Sequence, residues 1–183
     1  SAPPPVLNQL TVIVGATDAE AKRRFEEYLE FASPEGALTL MSGWTGIDFA
    51  GLDPDAPLAG LRSDAIQSAL SAFSDADPAR VWTPREIADY ARIGGDGPVI
   101  VGSASTVADA LESIVEETGA SGFNLAAAVQ PETLEGIVEH LVPELQRRGR
   151  FKREYAAGTL REKLGGAAPT PAPDHPASSV RIG

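Results

Sequence analysis

Three short apolar runs, each followed by a helical pattern, constrain the fold of this chain more than any other feature. The first, Leu10–Gly15, is a nearly continuous β-branched run, and the second is Pro98–Gly102. The third runs from Phe123 to Ala128 and contains a single polar side chain. Apolar runs of this kind are typical of parallel strands covered on both faces. Strands that alternate with helices predict an α/β fold with a parallel sheet.

Capping signals mark where the helices between these strands begin. Thr17 and Glu20 form a capping box, and Ser103 caps a helix that continues to Thr118. Pro131 suits the first position of a last helix that ends near Arg148, and Pro143 should bend that helix. The spacing predicts that its apolar residues face the core: Leu134, Ile137, Val138, Leu141, Val142 and Leu145.

A long segment between residues 33 and 97 interrupts the strand-helix pattern and is rich in Gly, Asp and Pro. Short helices are predicted near Asp64 to Phe73 and from Thr83–Pro84 onward. Connections this long inside an α/β pattern are typically lids or binding loops rather than linkers. Trp44 lies in this segment, and it either anchors the loop to the core or lines a ligand cleft.

The third strand carries one amide in an otherwise apolar environment. Alternation places Phe123 and Leu125 on one face, and Asn124 and Ala126 on the other. Because an amide inside a protein needs hydrogen-bond partners, Asn124 either bonds to other residues of the protein or contacts a ligand.

Charge and composition exclude several classes of function. The net charge of −11 over 183 residues argues against nucleic acid and anionic membrane surfaces. The basic cluster at residues 147–153 is interpreted as a solvated helix end. Without cysteine there is no disulfide framework, which is compatible with the cytoplasm. No apolar run approaches the roughly 20 residues that span a bilayer, and the N-terminal sequence does not have the pattern of a signal peptide.

Candidate catalytic chemistry is sparse. Gly102–Ser103 either offers backbone amides to an anion or is an ordinary helix cap. His140 and His175 have no histidine or carboxylate partner at metal-ligand spacing, and no serine stands in a Gly-x-Ser-x-Gly elbow. The residues alone therefore predict no metal site and leave the catalytic residues unknown.

A series of motifs along the chain resembles a known enzyme family. They are Val14–Ala21, Ser42–Asp48, Val101–Ser103, Gly122–Leu125, the string Val-Pro-Glu-Leu-Gln-Arg-Arg-Gly at 142–149, and Thr159–Gly165. Their order and spacing resemble the end of bacterial-luciferase-like, FMN-dependent monooxygenases, most closely the nitrilotriacetate and dibenzothiophene-sulfone monooxygenase branch. The resemblance covers roughly residues 7 to 165.

This resemblance implies part of a TIM (β/α)8 barrel. Such a barrel needs eight strand-helix units and about 250 residues, whereas this chain offers three strand candidates. Residues 6–165 are therefore expected to be the C-terminal portion of a luciferase-like barrel, incomplete in this chain, with an insertion at about 33–97. Residues 166–183 form a proline- and alanine-rich segment that is expected to be disordered.

The resemblance also implies a function. Members of the family use reduced FMN, supplied by a separate flavin reductase, to insert oxygen from O₂ into a small organic substrate. Flavin-binding residues are expected in the N-terminal portion of the barrel, a companion chain or missing sequence without which this chain should be inactive. Trp44, Asn124 and Ala126 are expected to line the substrate cleft. Two alternatives stay open, a luciferase-like deazaflavin-dependent oxidoreductase and a non-catalytic assembly module, and so does homo-oligomerisation.

Overall fold

The computed structural model describes residues 4–58 and 80–165, together with positions 168, 170, 174 and 176. The helix predicted near Asp64 to Phe73 and most of the predicted disordered tail lie outside the described residues. The described elements, in chain order, are β1 (Leu7–Gly15), α1 (Asp18–Phe31), α2 (Pro34–Thr45), a 3-10 turn (Phe49–Gly51), α3 (Pro84–Ala91), β2 (Val99–Ser103), α4 (Ala104–Thr118), β3 (Gly122–Ala126), α5 (Glu132–Gly136), a π-helical turn (Ile137–Leu141), α6 (Val142–Arg147) and α7 (Leu160–Gly165).

The three strands form one parallel sheet in the order β2-β1-β3, which confirms the predicted α/β class. The first strand of the chain is therefore the central one. Its C-terminal half pairs with β2, with Thr11 opposite Val99, and its N-terminal half pairs with β3, with Thr11 opposite Ala126. The outer edges of β2 and β3 have no strand partner among the described residues.

Two glycines at strand ends bring helices close to opposite faces of the sheet. A Cβ on Gly15 would stand 2.7 Å from the backbone nitrogen of Ala21 in α1, and a Cβ on Gly102 would stand 2.8 Å from the side chain of Thr106 in α4. Because side chains alternate along a strand, α1 lies on the face of Thr11 and α4 on the face of Leu10. Right-handed crossovers that leave β1 and β2 in opposite directions produce this arrangement.

On the side of α4, the residues of β1 are packed in a hydrophobic core. Its buried members are Leu10, Val12, Val14, Val107, Ala108, Leu111 and Leu141, and Phe123 and Leu125 pack against them. Burying an aliphatic side chain of this size stabilises a fold by about 1.5–3 kcal/mol. Phe123 and Leu125 thus share one face of the sheet, as the alternation predicted.

The last helix is rotated relative to its predicted orientation. Leu134 is 47% exposed and Val138 is 63% exposed, so the prediction that both face the core is wrong. The cause is Gly136, whose Cβ would stand 2.9 Å from the carbonyl oxygen of Val14. The close approach of the two backbones turns Gly136 toward β1, and the π-helical turn follows before Pro143.

The described parts of the insertion, residues 33–58 and 80–97, contain more helix than their composition predicts. Ser33 caps α2, Pro34 is at its start, and Gly46 ends it in the left-handed conformation. Trp44 therefore lies on a helix and not in a glycine-rich loop. Helix α3 opens at the predicted position, where Thr83 and Glu86 form a capping box. The two helices enclose a second core of buried residues, which are Ala37, Met41, Phe49, Leu58, Trp82, Ile87 and Ala91.

An ion-pair network ties α6 to α4, so the interpretation of residues 147–153 as a wholly solvated helix end is wrong. Only 15% of the Arg148 side chain is exposed. Its guanidinium donates to Glu144 at 2.6 Å, to Asp109 at 2.6 Å and to Glu112 at 2.9 Å. Hydrogen bonds from Arg147 and Arg148 hold the pKa of the Glu144 carboxyl at about 2.

Candidate active-site cleft

A cleft of about 460 Å³ opens on the face of the sheet that carries Thr11. Five segments meet there, and their lining residues are Thr11 of β1, Tyr28, Phe31 and Ala32 at the end of α1, Leu40 and Trp44 of α2, the stretch 92–95, and the stretch 126–129 after β3. The size is within the range of small-molecule sites, and most of the lining is apolar.

Trp44 is positioned by the loop that leads into β2. Gly94 and Gly95 have φ values of 91° and 67°, which side chains other than glycine rarely adopt. A Cβ on Gly95 would stand 2.9 Å from Cη2 of Trp44, so the loop backbone lies directly against the indole ring. A Cβ on Gly94 would stand 3.3 Å from Oγ1 of Thr11. The two glycines thus place the loop between the indole and the strand.

Thr11 supplies a polar group at the base of the cleft. The residue is 1% exposed, and its hydroxyl makes no hydrogen bond with any residue of the part of the chain that the structure describes. No side-chain oxygen in that part is both fully buried and without a partner. The small exposed area of Thr11 is therefore at its hydroxyl, which faces the cleft.

Arg92 is the charged side chain among the cleft-lining residues in the described segments. Its Nη2 donates to the carbonyl oxygen of Leu29 at 2.7 Å and to that of Ala32 at 3.2 Å, and Nη1 is 3.6 Å from Asp89. These carbonyls lie at the end of α1, where the helix dipole is negative, and that of Leu29 also accepts from the backbone nitrogen of Ala32. The guanidinium therefore caps α1 and is already neutralised within the protein.

Tyr28 contributes a phenol to the wall formed by α1. Burial, and next a hydrogen bond with Glu132, raise its pKa to about 12. Arg24 lies beside this pair, 3.7 Å from Glu132 and 2.7 Å from Glu20, and its Nη1 donates to the carbonyl of Val14. The tyrosine is thus protonated at neutral pH, and its phenol lies beside a carboxylate of the protein.

The structure brings two of the three predicted site residues together. Trp44 and Ala126 line the same cleft, whereas Asn124 does not belong to its lining. Asn124 is exposed and stands opposite Gln9, which is also exposed, one step below Thr11 on the same face. The sequence analysis did not predict Thr11 as a site residue, because threonine is common in β-strands and its place in a β-branched run is explained by a structural role.

The N-terminus of α4 is occupied by a carboxylate of the protein. The backbone nitrogen of Ser103 and the hydroxyl of Thr106 both donate to Oδ1 of Asp18, each at 2.7 Å. The bond from the Ser103 backbone lowers the pKa of the Asp18 carboxyl most strongly. Of the two readings of Gly102–Ser103, the ordinary cap is therefore correct, reinforced by Asp18.

The described residues do not fit the phosphate of FMN. Asp18 fills the anion position at α4, while the guanidinium groups of Arg24, Arg92 and Arg148 bond to carbonyls and carboxylates of the protein. A phosphate would have to displace one of these groups. Contacts to the FMN phosphate are therefore assigned to none of these groups.

The described segments also offer no metal centre. Residues 4–58 and 80–165 contain no group of three or more metal-ligating side chains. His140 is half-buried on the π-helical turn, and His175 lies outside the described residues. Among the helices of the described segments, none has the length and apolar character needed to cross a membrane.

Comparison with known proteins defines the class of the chain. No family model matches it. It is 47% identical over 155 residues to dimethyl-sulfide monooxygenase of Hyphomicrobium sulfonivorans, which covers 85% of this chain and 32% of that enzyme. It is 35% identical over 169 residues to nitrilotriacetate monooxygenase component A of Aminobacter aminovorans, with coverages of 90% and 37%. The chain therefore spans about a third of the length of the curated relatives it matches.

Structural comparison agrees with the sequence matches. The fold superposes on riboflavin lyase RcaE, solved with modified FMN and riboflavin, with a TM-score of 0.81, 29% identity and coverage of 98% of this chain and 39% of that one. The chain belongs to the luciferase-like family of FMN-dependent monooxygenases, and it corresponds to the C-terminal part of its relatives.

Proposed function

We propose that this chain supplies one wall of the active-site cleft in an FMN-dependent monooxygenase that oxidises a small organic substrate. The observation that carries the proposal is the cleft itself, which Trp44 and Ala126 both line and which the hydroxyl of Thr11 faces. Relatives of the chain are named as monooxygenases of dimethyl sulfide and of nitrilotriacetate. A cleft on a sheet face between helices and loops is a usual place for a small-molecule site.

In this proposal the residues of the chain bind the substrate and exclude water. Trp44 and the loop at Gly94–Gly95 close one side, and Ala126 to Val129 close the other. Their apolar surfaces keep water from the reacting atoms, which protects reactive intermediates. Reduced FMN, when bound, supplies the electrons that activate O₂. Asn124, on the same face of the sheet, contacts the substrate or the edge of the flavin.

The proposal requires two partners. Strands from the N-terminal portion of the barrel would pair with the outer edges of β2 and β3, which have no strand partner in the described part of the chain. That portion would hold the flavin, because the described residues do not fit its phosphate. A separate reductase would supply reduced FMN. Without these partners the chain is inactive.

The test joins the chain to the N-terminal two thirds of dimethyl-sulfide monooxygenase from Hyphomicrobium sulfonivorans. The joined protein should acquire the visible absorbance of bound FMN and, with a flavin reductase, should consume O₂ in step with substrate. The chain alone should show neither property. Ala126→Phe should abolish oxygenation while leaving FMN bound, because the added ring fills the cleft. Ala157→Phe, at an exposed position outside the cleft, is the matched control.

Two results would contradict the proposal. Tight FMN binding by the chain alone would show that it holds the flavin without the N-terminal portion. Substrate oxidation by the joined protein with a deazaflavin but not with FMN would assign the chain to a different reaction.

A further inference from the structure

The charges around the cleft decide which ligands it can take. Among the described residues that line it, only Arg92 carries a cationic group, and that group bonds to the carbonyls of Leu29 and Ala32 and faces Asp89. Arg24, just beyond Tyr28, is paired with Glu20 and Glu132. No cation in the described lining is therefore left to balance a ligand carboxylate. A carboxylate that enters an apolar site without a partner loses its hydration at a large cost in free energy.

The polar groups of the cleft lead to the same conclusion. The phenol of Tyr28 lies beside the carboxylate of Glu132, which helps to raise its pKa. The hydroxyl of Thr11 has no partner in the described part of the chain and faces the cleft from a residue that is 99% buried. A hydroxyl has one proton to donate and therefore satisfies one acceptor atom of a ligand. Most of the surrounding side chains, Phe31, Leu40 and Ala126 among them, offer only apolar contact.

We infer that the cleft binds a small uncharged molecule whose single polar atom accepts a hydrogen bond from the hydroxyl of Thr11, and that it rejects polycarboxylates. Thr11 is thus a specificity-determining residue. The inference rests on the proposed function only in taking this cleft as the substrate site.

Trp44 allows the inference to be tested by binding, without flavin or turnover. The chain has two tryptophans, and Trp82→Phe leaves Trp44 as the sole reporter, since Trp82 lies in the core of the insertion. Three probes are titrated against Trp44 fluorescence: diethyl sulfoxide, which has a strong acceptor oxygen, diethyl sulfide, which has the same carbon skeleton without it, and nitrilotriacetate. The two neutral probes should give saturable changes, and nitrilotriacetate should give none.

Substitutions at Thr11 then isolate the hydrogen bond. Thr11→Val keeps the shape and removes the hydroxyl, so the affinity for diethyl sulfoxide should fall about three- to tenfold. The affinity for diethyl sulfide should not change, and Thr11→Ser should retain sulfoxide binding. Ala126→Phe should abolish both responses, whereas Ala157→Phe should preserve them, which separates binding in the cleft from a general solvent effect on the indole. If Trp82→Phe disturbs the fold, the difference between the parent chain and Trp44→Phe gives the same signal.

The inference is overturned if nitrilotriacetate binds as tightly as the neutral probes, if Thr11→Val weakens both neutral probes equally or neither of them, or if no probe binds. These outcomes are distinct from failure of the proposed function. If the chain selects neutral ligands through Thr11 but the joined protein oxidises no substrate, the monooxygenase proposal is contradicted. The inference on ligand selection is then unaffected.

Discussion

The two faces of β1 differ in what covers them. Leu10, Val12 and Val14 meet α4 and the π-helical turn in a closed core. Thr11 and Ile13 are equally buried on the other face, yet α1 and the loop at Gly94–Gly95 leave a cleft above Thr11. One strand thus supplies a stability face and a binding face from alternate residues. The buried fraction of the side chains does not distinguish the two faces. The difference lies in what the side chains contact, which is a packed core on one face and a cleft on the other.

The largest expected effect is on the closed face. Leu10→Ala should lower the free energy of unfolding by about 2–5 kcal/mol, because it removes methyl groups from a packed core and leaves a cavity. Denaturant unfolding followed by circular dichroism measures the change. The neighbouring Gln9→Ala, at an exposed position, should change stability by less than about 0.5 kcal/mol. Equal losses from the two variants would mean that β1 is not packed on one side as described.

The loop that borders the open face should be nearly as sensitive. Gly94→Ala should cost about 1–3 kcal/mol, because φ is 91° and the new Cβ would stand 2.6 Å from Cγ2 of Val99. The same variant should change the fluorescence of Trp44. Gly43→Ala, within α2 and with open space at its Cβ, should instead stabilise the chain by about 0.5–1 kcal/mol. A neutral Gly94→Ala would show that the loop does not need its left-handed conformation.

The closed face also predicts a pH dependence. In the folded chain the pKa of Glu144 is about 2, below the value of about 4.3 that is usual for glutamate in an unfolded chain. Its contribution to stability is therefore present above about pH 4.3 and lost as the pH falls toward 2. Glu144→Gln should flatten the stability profile in that window, and Arg147→Gln should give an intermediate slope. If the free energy of unfolding of Glu144→Gln changed with pH as steeply as that of the parent chain, the ion-pair network would not be the cause of the pH dependence.

The smallest effect should come from the open face. Thr11→Val should change the free energy of unfolding by less than about 0.5 kcal/mol, since the hydroxyl has no partner to lose in the described part of the chain. Thr45 is the matched control, because it is also 1% exposed but its hydroxyl donates to Met41 and accepts from Ile47. Thr45→Val should cost about 1 kcal/mol. A comparable loss for Thr11→Val would show that its hydroxyl is structural.

Local signals in the sequence predicted much of the fold. The caps at Thr17, Thr83 and Ser103 and the end of α4 at Gly119 depend on side chains within a few residues, and each is present in the structure. Helix α2 was missed because Gly36 and Gly43 lower its helix propensity, while packing against α3 stabilises it. The rotation of the last helix could not be predicted, since it depends on contact between Gly136 and Val14, which are distant in sequence.

The candidate site was only partly predictable for the same reason. Trp44 and Ala126 stood out by their side chains or their strand position, and the structure brings them to one cleft. The roles of Thr11 and Arg92 depend on their hydrogen-bond partners. The hydroxyl of Thr11 has no partner among the described residues, whereas the guanidinium of Arg92 has several. Such relationships arise only when segments from several parts of the chain meet.

The sheet order has a consequence for how the chain folds. The central strand β1 precedes both of its neighbours, so its two edges stay unpaired until the chain has continued to Val99 for one side and Gly122 for the other. Contacts between residues so far apart in sequence form slowly. During synthesis an apolar strand with two open edges would persist while the insertion folds on its own core, which favours association with chaperones at that stage.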